Sequence, residues 1–129
     1  MADRAQKFED LIAWQKSRVL RKDIAALVRG PAFRPHQYLA EQMRRAAHSI
    51  KSNITEGFGR AGPREFHRFL STARGSTTEL QSHLYTALDD RLISQDVFDR
   101  HYAQSDEVLR IVTALRQSVG RKLTAAPNP

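Results

Sequence analysis

Glycine and proline, the residues that interrupt regular structure, are confined to a few short segments of this 129-residue chain. They cluster at residues 30–35, at residues 57–63 and near the C-terminus, and only Gly75 and Gly120 stand apart. The stretches between them show no alternation of apolar and polar residues of the kind that indicates strands. The sequence therefore predicts long helices joined by short loops.

Four of these stretches carry apolar residues at the spacing of a helix that buries one face. The first covers residues 8–29 and the second covers residues 36–56, where Met43 and Ile50 belong to the apolar stripe. Pro63 suits the first position of the third helix, because its missing N–H has no partner there anyway. Ser94 is the predicted N-cap of the fourth helix. Four helices of about 20 residues or more predict an all-α fold, an antiparallel up-down four-helix bundle.

The chain length suits one domain. We predict an N-terminal extension over residues 1–7, a four-helix bundle domain over residues 8–122 and a flexible tail over residues 123–129. The N-terminus lacks the apolar run of a signal peptide, and no segment approaches the length of a membrane span. The absence of Cys excludes disulfides and thiolate metal sites, and it indicates a cytoplasmic protein.

The segment SIKSNITEGFGR, residues 49–60, places polar side chains where the second helix ends. Asn53 follows Ile50 by three residues and is expected on the buried stripe, where an unpaired amide costs about 1–3 kcal/mol. One polar group in a helical seam often fixes register. Glu56 lies near the negative end of the helix dipole and needs a cation or donor. Gly57 is expected to end the helix in a left-handed conformation.

The third helix offers partners for these groups. Gly75 lies in a helix interior, where glycine costs about 1 kcal/mol relative to alanine, so we expect it to permit close approach of the second helix. We therefore predict a structural polar lock between the second and third helices, formed by Asn53, Glu56, Arg74, Gly75, Ser76 and Glu79.

The motif S-N-I-x-E-G of this segment is followed at a fixed distance by A-R-G-S-x-x-E-L. Together with FEDLIAWQKSRVL and YLAEQMRRAAHSI, these motifs resemble the four-helix bundle protein family whose first members are encoded by intervening sequences inside bacterial 23S ribosomal RNA genes. The resemblance covers about residues 8–120. It implies an up-down bundle, a ring-shaped homopentamer with a cationic surface, nucleic-acid binding and no catalytic activity. The chain departs from the family pattern at Gly62, where a small hydroxyl residue often caps the third helix.

Enzyme and metal motifs are missing from the sequence. Di-iron bundles need two Glu-x-x-His pairs, and none of the glutamates is followed by His at that distance. Glu79 and His83 are four apart, but one such pair predicts no metal site. The glycines of GFGRAG lack the Lys-Ser/Thr ending and the preceding strand of a phosphate-binding loop. His101 is expected to be a buried core histidine. We predict no catalytic residues, no metal and no cofactor.

The formal charge of +7 is unevenly distributed along the chain. Such a surface attracts polyanions, although a charge run is also compatible with ordinary solvated helix faces. Phe58, in the loop after the second helix, is predicted to plug the end of the bundle rather than to stack on a base. We predict nucleic-acid contacts from the cations around the second helix and the following loop: Arg44, Arg45, Lys51, Arg60, Arg64 and Arg68. The first helix offers a second basic face, formed by Lys16, Arg18, Arg21 and Lys22. Nothing in the sequence decides which of the two faces is used.

The predicted function is that of a small, basic, non-enzymatic oligomer that binds RNA or DNA, with a link to 23S ribosomal RNA intervening sequences. The alternative is a protein-interaction scaffold with an acidic protein partner. The predicted partners are further copies of the chain and nucleic acid. The homo-oligomer is expected to be a pentamer, a number that the family resemblance implies. No membrane or small-molecule substrate is indicated. Trp14 and Tyr102 are predicted interface anchors between subunits.

Overall fold

A computed structural model describes residues 5–60 and 62–124 of the chain. A short 3-10 helix at Phe8–Asp10 precedes the first α-helix, and a second at Pro31–Phe33 lies between the first two. No strand occurs in these described ranges, which confirms the predicted all-α fold. The four α-helices are α1 (Ile12–Val28), α2 (Gln37–Gly59), α3 (Pro63–Asp89) and α4 (Gln95–Thr124).

The helices pack as an up-down bundle in which each helix has two neighbours. Helix α1 packs against α2 and α4, and α3 packs against the same two helices from the other side. This order follows from the short connections, which allow a helix only to turn back alongside its predecessor. None of the helices in the described part of the chain has the length and hydropathy to cross a bilayer.

The core runs along the bundle axis and is built from apolar residues three and four apart. On α2 the fully buried side chains include Met43, Ile50 and Ile54, and on α3 they include Leu80 and Leu84. The stripe on α2 continues through Ile54, four residues after Ile50, and Asn53 lies half-buried beside it. The prediction that Asn53 occupies the buried stripe is therefore wrong by one position, because 3.6 residues per turn makes the stripe drift.

Three element boundaries differ from the predicted ones. Residues 8–10 form a 3-10 helix, and α1 begins only at Ile12. Helix α2 extends to Gly59 instead of ending at residue 56. Helix α4 continues through Thr124, so that the predicted tail begins inside the helix, and residues 125–129 lie outside the described ranges. Most of the predicted N-terminal extension, residues 1–4, also lies outside them.

Gly57, not Gly75, is the glycine that allows two helices to approach closely. A Cβ added at Gly57 would lie 2.7 Å from the Cβ of Phe69 and 3.0 Å from Cδ1 of Phe66. A Cβ at Gly75 would meet nothing within 4 Å, because Gly75 faces solvent. The predicted roles of both glycines are therefore wrong: Gly57 lies inside α2 with an ordinary helical conformation, and Gly75 contacts no neighbouring helix.

The connections show how the sequence ends and starts its helices. Gly62 precedes α3 with φ of 88°, a left-handed conformation that glycine adopts without strain, and Pro63 then occupies the first helical position. The backbone N–H of Val97 donates to Ser94 Oγ at 3.2 Å, which confirms Ser94 as the N-cap of α4. Phe33, in the connection between α1 and α2, is only 1% exposed and belongs to the core.

His101 is a buried histidine of α4, as predicted, with a relative exposure of 8%. Burial lowers the pKa of His101 below its ordinary value of 6.5, and the positive charge of Arg100 acts in the same direction. A hydrogen bond with Gln104 and the charge of Asp23 oppose this shift of the pKa. The Nδ1 atom is buried and has no hydrogen-bond partner in the described residues. The protein therefore disfavours the charged imidazolium.

This lowered pKa predicts a loss of stability in acid. Below pH 6.5 the unfolded chain binds a proton at His101 more readily than the folded chain, so that the free energy of unfolding falls as the pH drops. Above pH 6.5 the contribution is constant. We expect His101→Leu to reduce the slope of stability against pH between about 7 and 5. Urea unfolding across that range measures the slope, with His36→Gln as the control that keeps it. An unchanged slope in His101→Leu would contradict the assignment.

Candidate nucleic-acid interface

A small group of hydroxyl and amide side chains joins α2 to α3. Ser49 Oγ and Ser76 Oγ are 2.8 Å apart across the seam between the two helices. Asn53 donates from Nδ2 to the Ser49 carbonyl at 2.8 Å and to Ser49 Oγ at 3.0 Å. Ser49 therefore stands between Asn53 and Ser76, and these three residues form the polar connection that fixes the two helices relative to each other.

The other predicted members of the lock lie elsewhere. Glu56 is exposed and pairs with Arg60 on its own helix at 3.1 Å, so its charge is answered locally. Glu79 is likewise exposed and faces His83 Nε2 at 3.4 Å, one turn along α3. Arg74 reaches from α3 to α4 instead of to α2. The prediction of a lock that includes Glu56, Arg74, Gly75 and Glu79 is wrong. Arg74 reaches α4, and Gly75 faces solvent. The two glutamates are exposed, and each pairs with a residue one turn further along the chain.

Two of the predicted nucleic-acid contacts, Arg60 and Arg68, stack on the same aromatic ring. Their guanidinium carbons lie 5.2 and 4.8 Å from the centroid of Phe69. Each arginine also pairs with a carboxylate of its own helix, Arg60 with Glu56 and Arg68 with Glu65 at 2.9 Å. The hydrogen bond between Arg68 and Glu65 lowers the pKa of Glu65 and raises the pKa of Arg68. Both charges are therefore partly neutralised at the α2–α3 turn.

Arg44 and Arg45 share one carboxylate in the first half of α2. They bind Glu41 at 2.6 and 3.3 Å, and the hydrogen bond from Arg44 is the main cause that lowers the pKa of Glu41. Lys51 and Arg64 have no ion pair in the described ranges. The six predicted contacts thus do not converge on one point: three lie along α2 and three around the turn that joins α2 to α3.

On α1, the predicted basic face divides between two sides of the helix. Lys16 pairs with Glu107 of α4 at 3.4 Å, and Gln104 of α4 donates to Asp23 at 2.8 Å. This side of α1 therefore faces α4. Arg18 lies 5.7 Å above the ring of Trp14, and Arg21 lies half-buried three residues further. By helical position, Arg18 and Arg21 lie on the flank of α1 next to α2.

The same geometry places two of the predicted α2 cations beside α1. Ser49 marks the side of α2 that faces α3, and Lys51 follows it by two residues, about 200° around the helix. Arg44 lies seven residues before Lys51 and shares its face. Because α2 stands between α1 and α3, both side chains lie on the flank nearer α1. Part of each basic face that the sequence left open therefore lies on adjacent flanks: Arg18 and Arg21 on α1, and Arg44 and Lys51 on α2.

The outer seam between α3 and α4 contains two arginines that the sequence analysis did not count among the contacts. Arg74 of α3 donates from Nε to Thr113 Oγ1 of α4 at 3.1 Å. Arg116 of α4 donates from Nε to Ser71 Oγ of α3 at 2.7 Å. No ion pair of the described chain involves either arginine. The signal that identifies them is pairing between helices 40 residues apart, which local spacing does not reveal.

A cavity of about 620 Å³ opens at the end of the bundle where α2 turns into α3. Its walls include Leu115 and Val119 of α4, and Arg60 and Lys122 lie at its edge. Phe58 and Phe66 line it as well, with ring centroids 6.0 Å apart in an edge-on arrangement. Phe58 is half-buried and lies against the bundle end, as predicted.

The described residues contain no group of three or more His, Asp or Glu side chains arranged to hold a metal ion. The exposed apolar side chains are not those predicted. Trp14 packs edge-on against Phe8, and Tyr102 stacks on Phe98, so that both are partly buried against the core. The large apolar side chains that are exposed are instead Ile12, Val19, Tyr38 and Tyr85.

Comparison with known proteins identifies the family. A family model described as 23S rRNA-intervening sequence protein matches residues 9–114, which is most of the chain. The chain belongs to this family. The match agrees with the resemblance that the motifs show. No curated protein matches the sequence.

A solved structure supports the same fold. The chain is similar to a protein of unknown function from the S23 ribosomal protein family of Bacteroides thetaiotaomicron. The two chains are 18% identical, and the comparison covers 81% of this chain and 98% of the other, with a TM-score of 0.74. At this identity the likeness concerns the fold. The chain and this solved structure therefore share a fold.

Proposed function

We propose that the chain is a non-enzymatic protein that binds RNA or DNA through phosphate contacts on its cationic surface. The observation that carries this proposal is the surplus of unpaired positive charge. Of the many Lys and Arg side chains in the described ranges, only six pair with a carboxylate: Lys16, Arg44, Arg45, Arg60, Arg68 and Arg110. The remaining cations are available to a polyanion, which gains by releasing its condensed counterions.

The surface formed by neighbouring flanks of α1 and α2 supports this proposal. It brings Arg18 and Arg21 beside Lys51 and Arg44, with Glu41 as the carboxylate paired to one of them. At the α2–α3 turn, Arg64 adds an exposed cation that pairs with no carboxylate of the described residues. Contacts of this kind are made to phosphates and carry little sequence information, so binding is expected to be weakly sequence-specific.

We also propose that the binding form is a homo-oligomer, with five subunits as the number expected from the family resemblance. Two of the four exposed large apolar residues, Ile12 and Val19, are seven positions apart on α1 and share one face, and they are 53% and 50% exposed. Tyr38, at the start of α2, is 81% exposed. A ring of copies would repeat each cationic patch and increase the avidity for a long polyanion. Light scattering gives the mass that tests this number.

The proposal predicts a strong dependence of binding on salt. A labelled single-stranded RNA is titrated with nuclease-treated protein at several salt concentrations, and the logarithm of affinity is expected to fall linearly with the logarithm of salt. Lys51→Gln/Arg64→Gln is expected to reduce the slope by about 1.4, because each lost phosphate contact removes about 0.7 for single strands. Arg29→Gln/Arg34→Gln removes the same charge from the opposite end of the bundle and serves as the control.

Two results would overturn the proposal. One is the absence of RNA and DNA binding at low salt. The other is an equal loss of affinity in Lys51→Gln/Arg64→Gln and in Arg29→Gln/Arg34→Gln. Equal losses would indicate that binding depends on the net charge of the protein and not on a particular surface. A pull-down after nuclease treatment tests the scaffold alternative, because an acidic protein partner would remain bound where nucleic acid is removed.

A further inference from the structure

The two arginines in the seam between α3 and α4 form a reciprocal pair. Arg74 extends from α3 to Thr113 on α4, and Arg116 extends from α4 back to Ser71 on α3. Ser71, which accepts from Arg116, lies three residues before Arg74 on α3. Thr113, which accepts from Arg74, lies three residues before Arg116 on α4. Three residues span about 4.5 Å along a helix axis. The two guanidinium groups are therefore held in neighbouring positions on one outer seam of the bundle.

Both arginines are oriented by neutral groups. Ser71 Oγ donates its own proton to the carbonyl of His67 at 3.0 Å, so its lone pairs are free to accept from Arg116. Thr113 Oγ1 accepts from Arg74. A hydroxyl removes none of the positive charge of a guanidinium, and each bond uses only Nε. The two terminal nitrogens of each arginine keep their donors, which is the geometry that binds a phosphate bidentately.

The arginines that form ion pairs in the described ranges are bound differently. Arg44 and Arg45 share Glu41, whereas Arg60, Arg68 and Arg110 each bind a carboxylate of their own helix. In those pairs a carboxylate already occupies part of the donor set and cancels charge. Arg74 and Arg116 combine fixed orientation with an uncancelled charge, and orientation in advance reduces the entropy lost on binding.

We propose that Arg74 and Arg116 form an arginine clamp that binds a phosphate group of nucleic acid. This inference rests on the proposed function for the macromolecule that supplies the phosphate, but the clamp itself recognises the phosphate oxyanion. Ser71 and Thr113 are positioning residues that hold the two guanidinium groups. The clamp lies on α3 and α4, so a strand that also contacts the surface of α1 and α2 passes around the bundle or between subunits.

A purely structural role, in which the arginines only join α3 to α4, makes a different prediction. Arg74→Lys/Arg116→Lys keeps both charges and loses the forked donor geometry and the Nε bond. A structural role changes the unfolding midpoint and leaves RNA affinity as it is. The clamp predicts weaker RNA binding by this double variant at a temperature where circular dichroism shows full helix content.

The test measures RNA affinity and a direct phosphate contact separately. Arg74→Gln/Arg116→Gln is expected to weaken binding of single-stranded RNA by roughly tenfold or more and to reduce the salt slope by about 1.4. The control Arg29→Gln/Arg34→Gln removes the same charge outside the clamp. Ser71→Ala/Thr113→Ala keeps both arginines but removes the hydroxyls that orient them. This variant is expected to lower the RNA affinity by a smaller factor than Arg74→Gln/Arg116→Gln.

Inorganic phosphate is then titrated into the unmutated protein while the Nε–Hε resonances of Arg74 and Arg116 are followed by NMR. Saturable shifts of both resonances support the clamp, even if no RNA binds and the proposed function fails. The clamp is overturned if neither resonance responds to phosphate. It is also overturned if RNA binds but the clamp variant and its charge-matched control lose the same affinity and the same salt slope.

Discussion

Replacing Gly57 with alanine is expected to destabilise the bundle by about 1–3 kcal/mol, although alanine is the better helix former. The new Cβ would lie 2.7 Å from the Cβ of Phe69, an atom next to the α3 backbone that no rotamer change can move away. Helices α2 and α3 must therefore separate at their connected ends. Urea unfolding of both proteins at the same fixed concentration measures the loss.

Gly75→Ala is the matched control, and it should have the opposite sign. Gly75 lies in the middle of α3, faces solvent and has free space around it, so alanine adds helix propensity without a contact. The expected gain is about 0.5–1 kcal/mol. Equal effects of the two substitutions would show that the close approach of α2 and α3 at Gly57 is not present in solution.

Phe33→Ala is expected to destabilise the fold by about 3–5 kcal/mol, the largest effect among the predictions made for this chain. Phe33 lies in the connection between α1 and α2, yet it is among the largest fully buried side chains. Its carbonyl also accepts from Gln37 Nε2 at 2.9 Å, a bond to the backbone that the alanine variant keeps, so the expected loss comes from the ring. Loss of the ring would leave a cavity that two helix ends cannot fill. Thermal unfolding measures this effect directly.

Arg34→Ala provides the comparison for Phe33. Arg34 is the next residue, is exposed and has no ion pair among the residues described, so its removal is expected to change stability by less than about 0.5 kcal/mol. If Phe33→Ala lowered the stability as little as Arg34→Ala, the buried ring of Phe33 would contribute little to the free energy of unfolding, which would contradict the prediction.

The bundle could be predicted from the sequence because its signals are local. The stripe through Met43 and Ile50, the proline at the start of α3 and the Ser94 cap each follow from the order of neighbouring residues, and all are present. The family followed from the motifs for a similar reason. A motif is a run of residues at fixed spacing, and it can be recognised without knowing how the helices contact each other.

The contacts between helices could not be predicted in the same way. Asn53 was expected to meet α3 directly, but it reaches Ser76 only through Ser49, because a drift of one position moves a side chain by about 100°. The close approach expected at Gly75 occurs at Gly57, because the packing of α2 against α3 decides which glycine meets a neighbouring helix. A count of charges also does not show which cations are paired. Glu41, for example, binds both Arg44 and Arg45.

The up-down order of the helices has a consequence for how the chain folds and opens. Helices α1 and α2, α2 and α3, and α3 and α4 each form a hairpin across a short loop, and such local contacts fold quickly. Only the seam between α1 and α4 joins the two ends of the chain, and it is the least extensive of the four. Its cross-helix polar contacts, Lys16 with Glu107 and Gln104 with Asp23, are exposed. This seam is therefore where we expect the bundle to close last and where transient opening begins, so that amide hydrogens on α1 exchange before those at the centre of α3.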